Sequence, residues 1–184
     1  MASPRPFSGA RLVVAILSQA GDSEVLAPFG PLLPALEKRF GPPDYFSSGL
    51  SFSWTNYYAD ELGPSILRSF LSFPLLVDPS TLASIKTWTN ELEERFAVGS
   101  RRRFNLDPGL LSLGGFVLAT TKGRSHRIAL SEGIYAELTL MYANGGFRSL
   151  PWTYADWKSP EYGAVLSELR GRLKLALRGS GPRR

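Results

Sequence analysis

The chain has 184 residues, of which 43% are hydrophobic and 20% charged, and this composition is typical of one globular domain rather than a disordered chain. It contains no cysteine and a single histidine, which excludes disulfide bridges, cysteine nucleophiles and thiolate zinc sites. The formal charge of +5 is concentrated near the carboxy terminus, where basic residues also complement a helix dipole. Net charge alone therefore does not indicate a nucleic-acid ligand.

The organisation of the chain is expected to be simple. No apolar run is long enough to span a membrane, and residues 1–9 lack a signal-peptide apolar run, so we expect a cytoplasmic protein without a membrane partner. We expect a flexible amino terminus over residues 1–10, one α+β domain over residues 11–178 and a flexible basic carboxy terminus over residues 179–184.

The first elements are predicted from hydrophobic periodicity. Residues 11–18 form a continuous apolar run rich in β-branched side chains, typical of a central strand buried on both faces. A helix is predicted from Pro31 to Phe40. Alternating apolar residues predict a second strand over residues 46–54, and residues 66–73 predict a third strand antiparallel to it.

The clearest helix begins after Asp78, which is expected to cap it, with Pro79 as its first residue and an end near Gly99. Apolar residues recur along it at helical spacing and predict its buried face. The opposite face, which we interpret as a solvated surface, carries Lys86, Asn90, Glu93 and Glu94.

A fourth strand over residues 102–106 would complete a ferredoxin-like β-α-β-β-α-β first half, in which two helices cover one face of the sheet. A turn is predicted at Asp107-Pro108-Gly109, followed by a strand over residues 115–121. A hairpin and a final helix from about Ser159 to Leu177 then extend an antiparallel or mixed sheet. The predicted fold class is α+β.

The register of this hairpin follows from its apolar residues, which must share one face of the two strands. That condition predicts a loop of three residues, Ser131 to Gly133, which places Arg127 opposite Glu137 and His126 opposite Leu138 on the apolar side. A two-residue loop would instead bring His126 to Glu137.

Polar residues cluster around this hairpin and suggest a site for a small phosphate- or carboxylate-bearing ligand, such as a nucleotide. Asp107, His126 and Glu137 are the catalytic candidates, and the two carboxylates could also hold magnesium, although no metal ligand is assigned and zinc is not expected. The ligand-binding candidates are Asn105, Thr120, Thr121, Lys122, Arg124 and Arg127, joined by Tyr57 and Tyr58 from the longest early loop.

A structural interpretation of the same residues stays open. Asp107 could cap the predicted turn, Arg127 and Glu137 could form a cross-strand ion pair, and a lone histidine on an apolar face is more often a core residue. Whether the protein is an enzyme and which oligomeric state it adopts are left open.

The alternative function is a non-catalytic RNA- or protein-binding module. The Arg101–Arg103 run could contact phosphates, and Trp152, Tyr154 and Trp157 could stack on bases. A charge run at a strand entrance is usually solvated, so nucleic acid is the weaker of the two hypotheses.

Several longer sequence motifs resemble the bacterial domain-of-unknown-function family DUF4416 over nearly the whole chain. They are Tyr57-Tyr58-x-x-Glu61-x-Gly63, Thr89-Asn90-x-Leu92-Glu93, Asn105-Leu106-Asp107-Pro108-Gly109, Val117-Leu118-Ala119-Thr120-Thr121-Lys122, His126-Arg127-Ile128, Gly133-Ile134-Tyr135-Ala136-Glu137 and Leu150-Pro151-Trp152-Thr153-Tyr154. The resemblance implies a bacterial cytosolic protein and supplies no activity. The chain contains neither a Gly-x-x-x-x-Gly-Lys-Ser/Thr phosphate loop nor an Asn-Lys-x-Asp guanine motif.

Overall fold

A computed structural model describes residues 3–20 and 30–179 of the chain. The expected flexible ends therefore lie partly outside the described residues, at 1–2 and 180–184. The strands are β1 (Ala10–Gln19), β2 (Tyr45–Phe46), β3 (Leu50–Phe52), β4 (Ile66–Val77), β5 (Phe104–Leu111), β6 (Gly115–Thr120), β7 (Ile128–Ala129), β8 (Tyr135–Ala143) and β9 (Gly146–Ser149). The helices are α1 (Leu32–Phe40), α2 (Ala59–Leu62), α3 (Leu82–Arg95) and α4 (Pro160–Gly179), with short 3₁₀ turns at Pro79–Thr81 and Asp156–Lys158.

All nine strands of the described residues belong to one sheet, in which every paired neighbour is antiparallel. The strand order is β2-β4-β1-β5-β6-β8-β7, with β3 also paired to β4 and β9 to β8. The predicted α+β class is confirmed, and the sheet is larger than predicted. The additional strand β9 follows an Asn144-Gly145 turn in which both residues have positive φ, a recognised hairpin signal that the sequence analysis did not use.

Strand β1 lies in the centre of the sheet and is buried on both faces, as predicted from its continuous apolar run. Leu12, Val14 and Ile16 pack with residues of α1 and α3 on one face of the sheet. Val13 and Ala15 pack with α4 on the other. We call these the α3 face and the α4 face. The protein thus has three layers, with helices on both sides of the sheet.

The predicted second strand is interrupted, because β2 and β3 pair with β4 in registers that differ by one residue. Ser47, between the two strands, accepts the amide of Phe70 with its hydroxyl and donates its own amide to the Phe70 carbonyl. The prediction that residues 46–54 form one strand is therefore wrong in its continuity. Its antiparallel pairing with the third strand is confirmed.

The Asp78 carboxylate accepts the Ser80 amide at 2.8 Å and so caps, as predicted, the helical segment that begins at Pro79. Its first turn is the 3₁₀ turn Pro79–Thr81, and helix α3 follows from Leu82. The interpretation of its second face as solvated is wrong for Lys86 and Glu93, which are buried. Both side chains bind the backbone of β5 rather than water. Asn90 is half-buried and Glu94 is exposed.

The predicted turn at Asp107-Pro108-Gly109 is also wrong, because these residues continue β5 beside β1. Asp107 pairs with Ala15, and Pro108 pairs with Val14. Pairing with the buried central strand outweighs the local turn preference of an Asp-Pro-Gly segment.

The predicted hairpin register is confirmed. The Leu130 amide donates to the Ile134 carbonyl at 2.9 Å across a loop of Ser131, Glu132 and Gly133, and Ile128 pairs with Ala136. The position predicted for His126 is wrong, because β7 starts only at Ile128. His126 instead lies in a turn closed by the bond from the Arg127 amide to the Arg124 carbonyl.

The outer edge of β8 is paired with β7 and β9 at its two ends and is covered by side chains between them. The Trp152 indole donates to the Leu138 carbonyl at 2.9 Å, and the Thr153 hydroxyl donates to the Thr139 carbonyl at 2.6 Å. A bulge at Thr139, where the register with β6 shifts, accompanies this arrangement.

Candidate functional site

Strands β5 and β6 are paired only from Gly109 and Leu118 to Leu111 and Phe116. The interruption occurs at Pro108, which has no amide hydrogen to donate. Alternate residues of a strand direct their backbone groups to the same neighbour, and the Ser112 amide after β5 donates to the Gly115 carbonyl of β6 at 2.9 Å. Leu110 and then Pro108 follow at this spacing. Pro108 is therefore the next residue of β5 whose amide would have bonded to β6. Beyond it the two strands separate.

Side chains of α3 satisfy the β5 backbone where β6 leaves it. The Lys86 ammonium donates to the Leu106 carbonyl at 2.7 Å, and the Glu93 carboxylate accepts the Leu106 amide at 2.6 Å. Burial raises the pKa of Glu93, and the charge of Lys86 and the Leu106 amide oppose that effect without reversing it. Together these two residues keep the gap between the strands open without an unpaired peptide group at Leu106.

A cleft of about 700 Å³ occupies this gap. Its walls come from both faces of the sheet, so the cleft passes between β5 and β6. Its size falls in the range of small-molecule sites. The lining includes Phe52, Trp54, Tyr57, Tyr58, Arg68, Lys86, Asn90, Glu93, Arg102, Asn105, Asp107, Thr120, Thr121, Lys122, Arg127, Glu137, Tyr154, Asp156 and Trp157.

Arg68 lies at the base of the cleft on the α4 face and is 2% exposed. Its guanidinium binds the Asp107 carboxylate at 2.9 Å and the Asp156 carboxylate at 3.4 Å. Burial acts to raise the pKa of Asp107, but the charges of Arg68 and Lys86 outweigh it, so this pKa is lowered. At Asp156 burial prevails and the pKa is raised.

A second arginine lies where β5 begins. Arg102 binds the Glu61 carboxylate and, at 2.9 Å, that of Glu93. The same guanidinium donates to the Asn105 amide oxygen at 3.1 Å. Burial acts to lower the pKa of Arg102, whereas the bonds to Glu61 and Glu93 raise it overall.

The third arginine, Arg127, binds Glu137 as predicted, with its Nε 2.7 Å from the Glu137 carboxylate. It also donates to the Lys122 carbonyl at 2.6 Å and to the Tyr154 hydroxyl at 3.2 Å. His126 approaches the same Glu137 oxygen at 3.0 Å, and its ring stacks on Trp152 with centroids 5.0 Å apart. Arg127, which a three-residue hairpin loop places opposite Glu137, and His126, which a two-residue loop would place there, thus both contact Glu137.

The mouth of the cleft is formed by the end of β6. Thr120 accepts the Lys122 amide through its hydroxyl. The Lys122 ammonium lies 4.5 Å from the centre of the Tyr57 ring, a cation–π contact. Among the residues described by the structure, no carboxylate forms an ion pair with Lys122.

Most of the residues predicted from sequence line this one cleft: Asn105, Asp107, Thr120, Thr121, Lys122, Arg127, Glu137, Tyr57 and Tyr58. Arg124 and His126 do not line it. The carboxylates suggested for magnesium are bound to different arginines, Asp107 to Arg68 and Glu137 to Arg127. Over residues 3–20 and 30–179, no group of three or more His, Asp or Glu side chains is placed to hold a metal ion.

Sequence reasoning missed Arg68, Lys86 and Asp156. Arg68 was detectable as a charge inside the apolar run of residues 66–73. Lys86 and Glu93 are seven residues apart on a helix and so share a face, although nothing in the sequence showed which partner they meet. Asp156 becomes part of the site only through tertiary packing.

Two observations bear on the nucleic-acid hypothesis. Trp157 is 3% exposed in the α4-face core, so it is not free to stack on a base. Arg102, the centre of the arginine run, is bound to carboxylates of the cleft region.

Within the part of the chain that the structure describes, no helix is both long and apolar enough to cross a membrane.

The cleft residues lie within a segment that matches a known family. The model of a domain of unknown function, DUF4416, matches residues 8–172, nearly the whole chain. The chain belongs to the DUF4416 family. No curated protein and no solved structure matches it. The DUF4416 match covers every strand of the sheet and every residue that lines the cleft.

Proposed function

We propose that the cleft of this DUF4416 protein binds a small phosphate- or carboxylate-bearing molecule, with Lys122, Thr120 and Thr121 as the groups that receive its anionic end. The proposal rests on which cations of the cleft already have a partner within the protein. Arg68, Arg102 and Arg127 are each bound to a carboxylate, and Lys86 to a backbone carbonyl. Among the residues that the structure describes, the Lys122 ammonium group at the mouth contacts the Tyr57 ring and forms no ion pair.

The surroundings of Lys122 suit an anion. Thr120 at the end of β6 and Thr121 directly after it line the same cleft as Lys122, so hydroxyl donors are available there together with the ammonium group. A bound oxyanion would gain a charge-assisted hydrogen bond from Lys122 without breaking an ion pair inside the protein. The charges of the lining arginines are already balanced by carboxylates of the protein, so an anion placed beside Arg68, Arg102 or Arg127 would compete with an internal partner.

The arginine-bound carboxylates support binding more directly than catalysis. The pKa of Asp107 is lowered, so this side chain is an anion at neutral pH and is a poor proton donor. Glu137 is occupied by Arg127 and His126. We therefore propose that Asp107 and Glu137 position cations around the ligand. Because Arg102 is bound to Glu61 and Glu93 rather than free to contact phosphates of RNA, its position also favours a small ligand over the RNA-binding alternative.

The proposal also includes the topology of the first half of the chain and the location of the protein in the cell. The order β2-β4-β1-β5, with α1 and α3 as crossovers on one face, supports a ferredoxin-like arrangement for the first half of the chain. The membership of the DUF4416 family, whose resemblance implies a bacterial cytosolic protein, supports a bacterial cytoplasmic location.

The test is a thermal-shift and calorimetric titration of the full chain with inorganic phosphate, citrate and nucleoside monophosphates. A ligand present at about 100 times its dissociation constant should add about 2.7 kcal/mol to the free energy of unfolding. Lys122→Ala should weaken the affinity about tenfold or more, because it removes a charged hydrogen bond.

The matched control is Lys174→Ala, which removes an exposed lysine on α4 that does not line the cleft. It should bind as the wild type does. The proposal would be wrong if none of these anions bound, or if Lys122→Ala and Lys174→Ala bound equally well.

A further inference from the structure

The orientation of the Asn105 side chain follows from its neighbour. Arg102 donates to the Asn105 amide oxygen at 3.1 Å. A guanidinium has only donors, so the oxygen of Asn105 must face Arg102 and its NH₂ group must face the other way. Asn105 lines the cleft and is 6% exposed. The NH₂ group of this buried, cleft-lining side chain is therefore turned away from Arg102.

Within the described part of the chain the Asn105 nitrogen has no hydrogen-bond partner of normal geometry. Its interaction with the Asp107 carboxylate helps to lower the pKa of that group, but one acceptor that is poorly placed does not satisfy both N–H donors of the amide. Buried amide groups are seldom left unpaired, because the loss of hydration is not repaid. An acceptor supplied by a bound molecule would satisfy this group.

The charge around Asn105 indicates which kind of acceptor fits. Three cations lie at the inner end of the cleft, Arg68, Lys86 and Arg102, and four carboxylates bind or neighbour them: Asp107, Asp156, Glu93 and Glu61. The inner end has no surplus positive charge to hold a second anion. Lys122, for whose ammonium group the described residues supply neither a carboxylate nor a carbonyl partner, is at the mouth.

The mouth also exposes aromatic rings. Trp54 is 49% exposed, Tyr57 63% and Tyr154 54%, and all three line the cleft. Large aromatic side chains that are exposed together around a cleft are suited to pack against the outer part of a planar ring whose inner edge reaches Asn105.

We propose that the ligand of this cleft combines a planar, uncharged ring that accepts a hydrogen bond from Asn105 with an anionic group that remains at Lys122, the construction of a nucleoside monophosphate. This inference rests on the proposed anion binding and adds its orientation and chemical class. The ring enters first and its carbonyl or ring nitrogen meets the buried amide. The phosphate stays at the mouth with Lys122 and the threonine hydroxyls.

The experiment compares affinities for the four ribonucleoside monophosphates, the corresponding nucleosides and inorganic phosphate in the wild type and in Asn105→Asp. This substitution keeps an oxygen acceptor for Arg102, so the fold should survive, but it replaces the buried donor by an acceptor. The wild type should bind at least one monophosphate about tenfold or more tightly than inorganic phosphate. Asn105→Asp should lose that preference and retain its phosphate affinity within about threefold.

The matched control is Asn90→Asp, which adds the same charge to another residue that lines the cleft. It should keep the preference for the monophosphate. As a second measurement, the side-chain amide signals of Asn105 in a ¹⁵N NMR spectrum should shift with the monophosphate and not with inorganic phosphate.

Each remaining outcome separates the two proposals. Equal wild-type affinities for monophosphate and phosphate, or a preference that persists in Asn105→Asp, would overturn the inference and leave anion binding intact. An equal loss of both affinities in Asn105→Asp would place the anion at Asn105, contrary to the proposed orientation. A wild type that binds none of the probes overturns both.

Discussion

The Arg127 guanidinium lies 2.7 Å from the Glu137 carboxylate, and both side chains are almost completely buried. Removing one charge of such a pair leaves the other buried and unpaired. We expect Glu137→Gln to lower the free energy of unfolding by about 3 kcal/mol. Urea denaturation at neutral pH measures this. The double variant Arg127→Met/Glu137→Leu should lose less free energy of unfolding than the sum of the losses in the single variants Arg127→Met and Glu137→Leu. Additive losses would show that the two side chains do not interact.

Lys86 should be structurally important despite its position on a helix. Lys86→Met keeps the aliphatic stem but leaves the Leu106 carbonyl without its donor, which we expect to cost about 2 kcal/mol. The control is Lys38→Met, at an exposed position of α1, where the change should be within about 0.5 kcal/mol. Equal stabilities of the two variants in urea would contradict the backbone contact.

Gly109 lies at the last pair before β5 and β6 separate, where Phe116 packs across it. A β-carbon there would lie 2.4 Å from the Phe116 ring and 2.9 Å from the Val117 carbonyl. We expect Gly109→Ala to destabilise the protein by about 1–3 kcal/mol through overpacking. At Gly114 the nearest atom would be 3.9 Å away, so Gly114→Ala should have little effect. Thermal unfolding of the two variants distinguishes these outcomes.

Asp107 and Asp156 should respond to pH in opposite directions although both bind Arg68. The pKa of Asp107 is lowered from its ordinary value of 3.8, so its contribution to stability is present above pH 3.8 and is lost as the pH falls through the lowered pKa. The pKa of Asp156 is raised from 3.8, so ionising it becomes a cost as the pH rises from 3.8 through the raised value.

The measurement is urea denaturation of the wild type, Asp107→Asn and Asp156→Asn between about pH 3 and pH 7. The stability lost in Asp107→Asn should shrink towards the acid end. The stability of the wild type relative to Asp156→Asn should instead increase towards the acid end. Parallel pH profiles for the two variants would contradict the opposite shifts.

Patterns of hydrophobicity predicted those elements whose environment is uniform along their length. The sequence pattern predicted the buried strand β1, the Asp78 cap of the helical segment that leads into α3, the helix α4 and the hairpin register. The errors occur where a tertiary contact overrides a local preference. The Asp107-Pro108-Gly109 segment has the composition of a turn but continues along β1.

The candidate site was predicted in part for the same reason. Hairpin geometry located Arg127 opposite Glu137, because strand pairing has a fixed period. The approach of Lys86 and Glu93 to Leu106 depends instead on how α3 packs across the sheet, which periodicity does not encode. Asp156 follows a loop more than forty residues after Asp107, so its common partner Arg68 became visible only in three dimensions.

The indole of Trp152 and the hydroxyl of Thr153 occupy carbonyls of β8 that a further strand would otherwise use. Free backbone groups at a sheet margin allow another molecule to add a strand, which is a common beginning of aggregation. In this protein that margin offers few acceptors, because two side chains of the same chain have already taken them. The loop that carries Tyr154 and Asp156 to the cleft therefore also covers this part of the sheet edge against the addition of another strand.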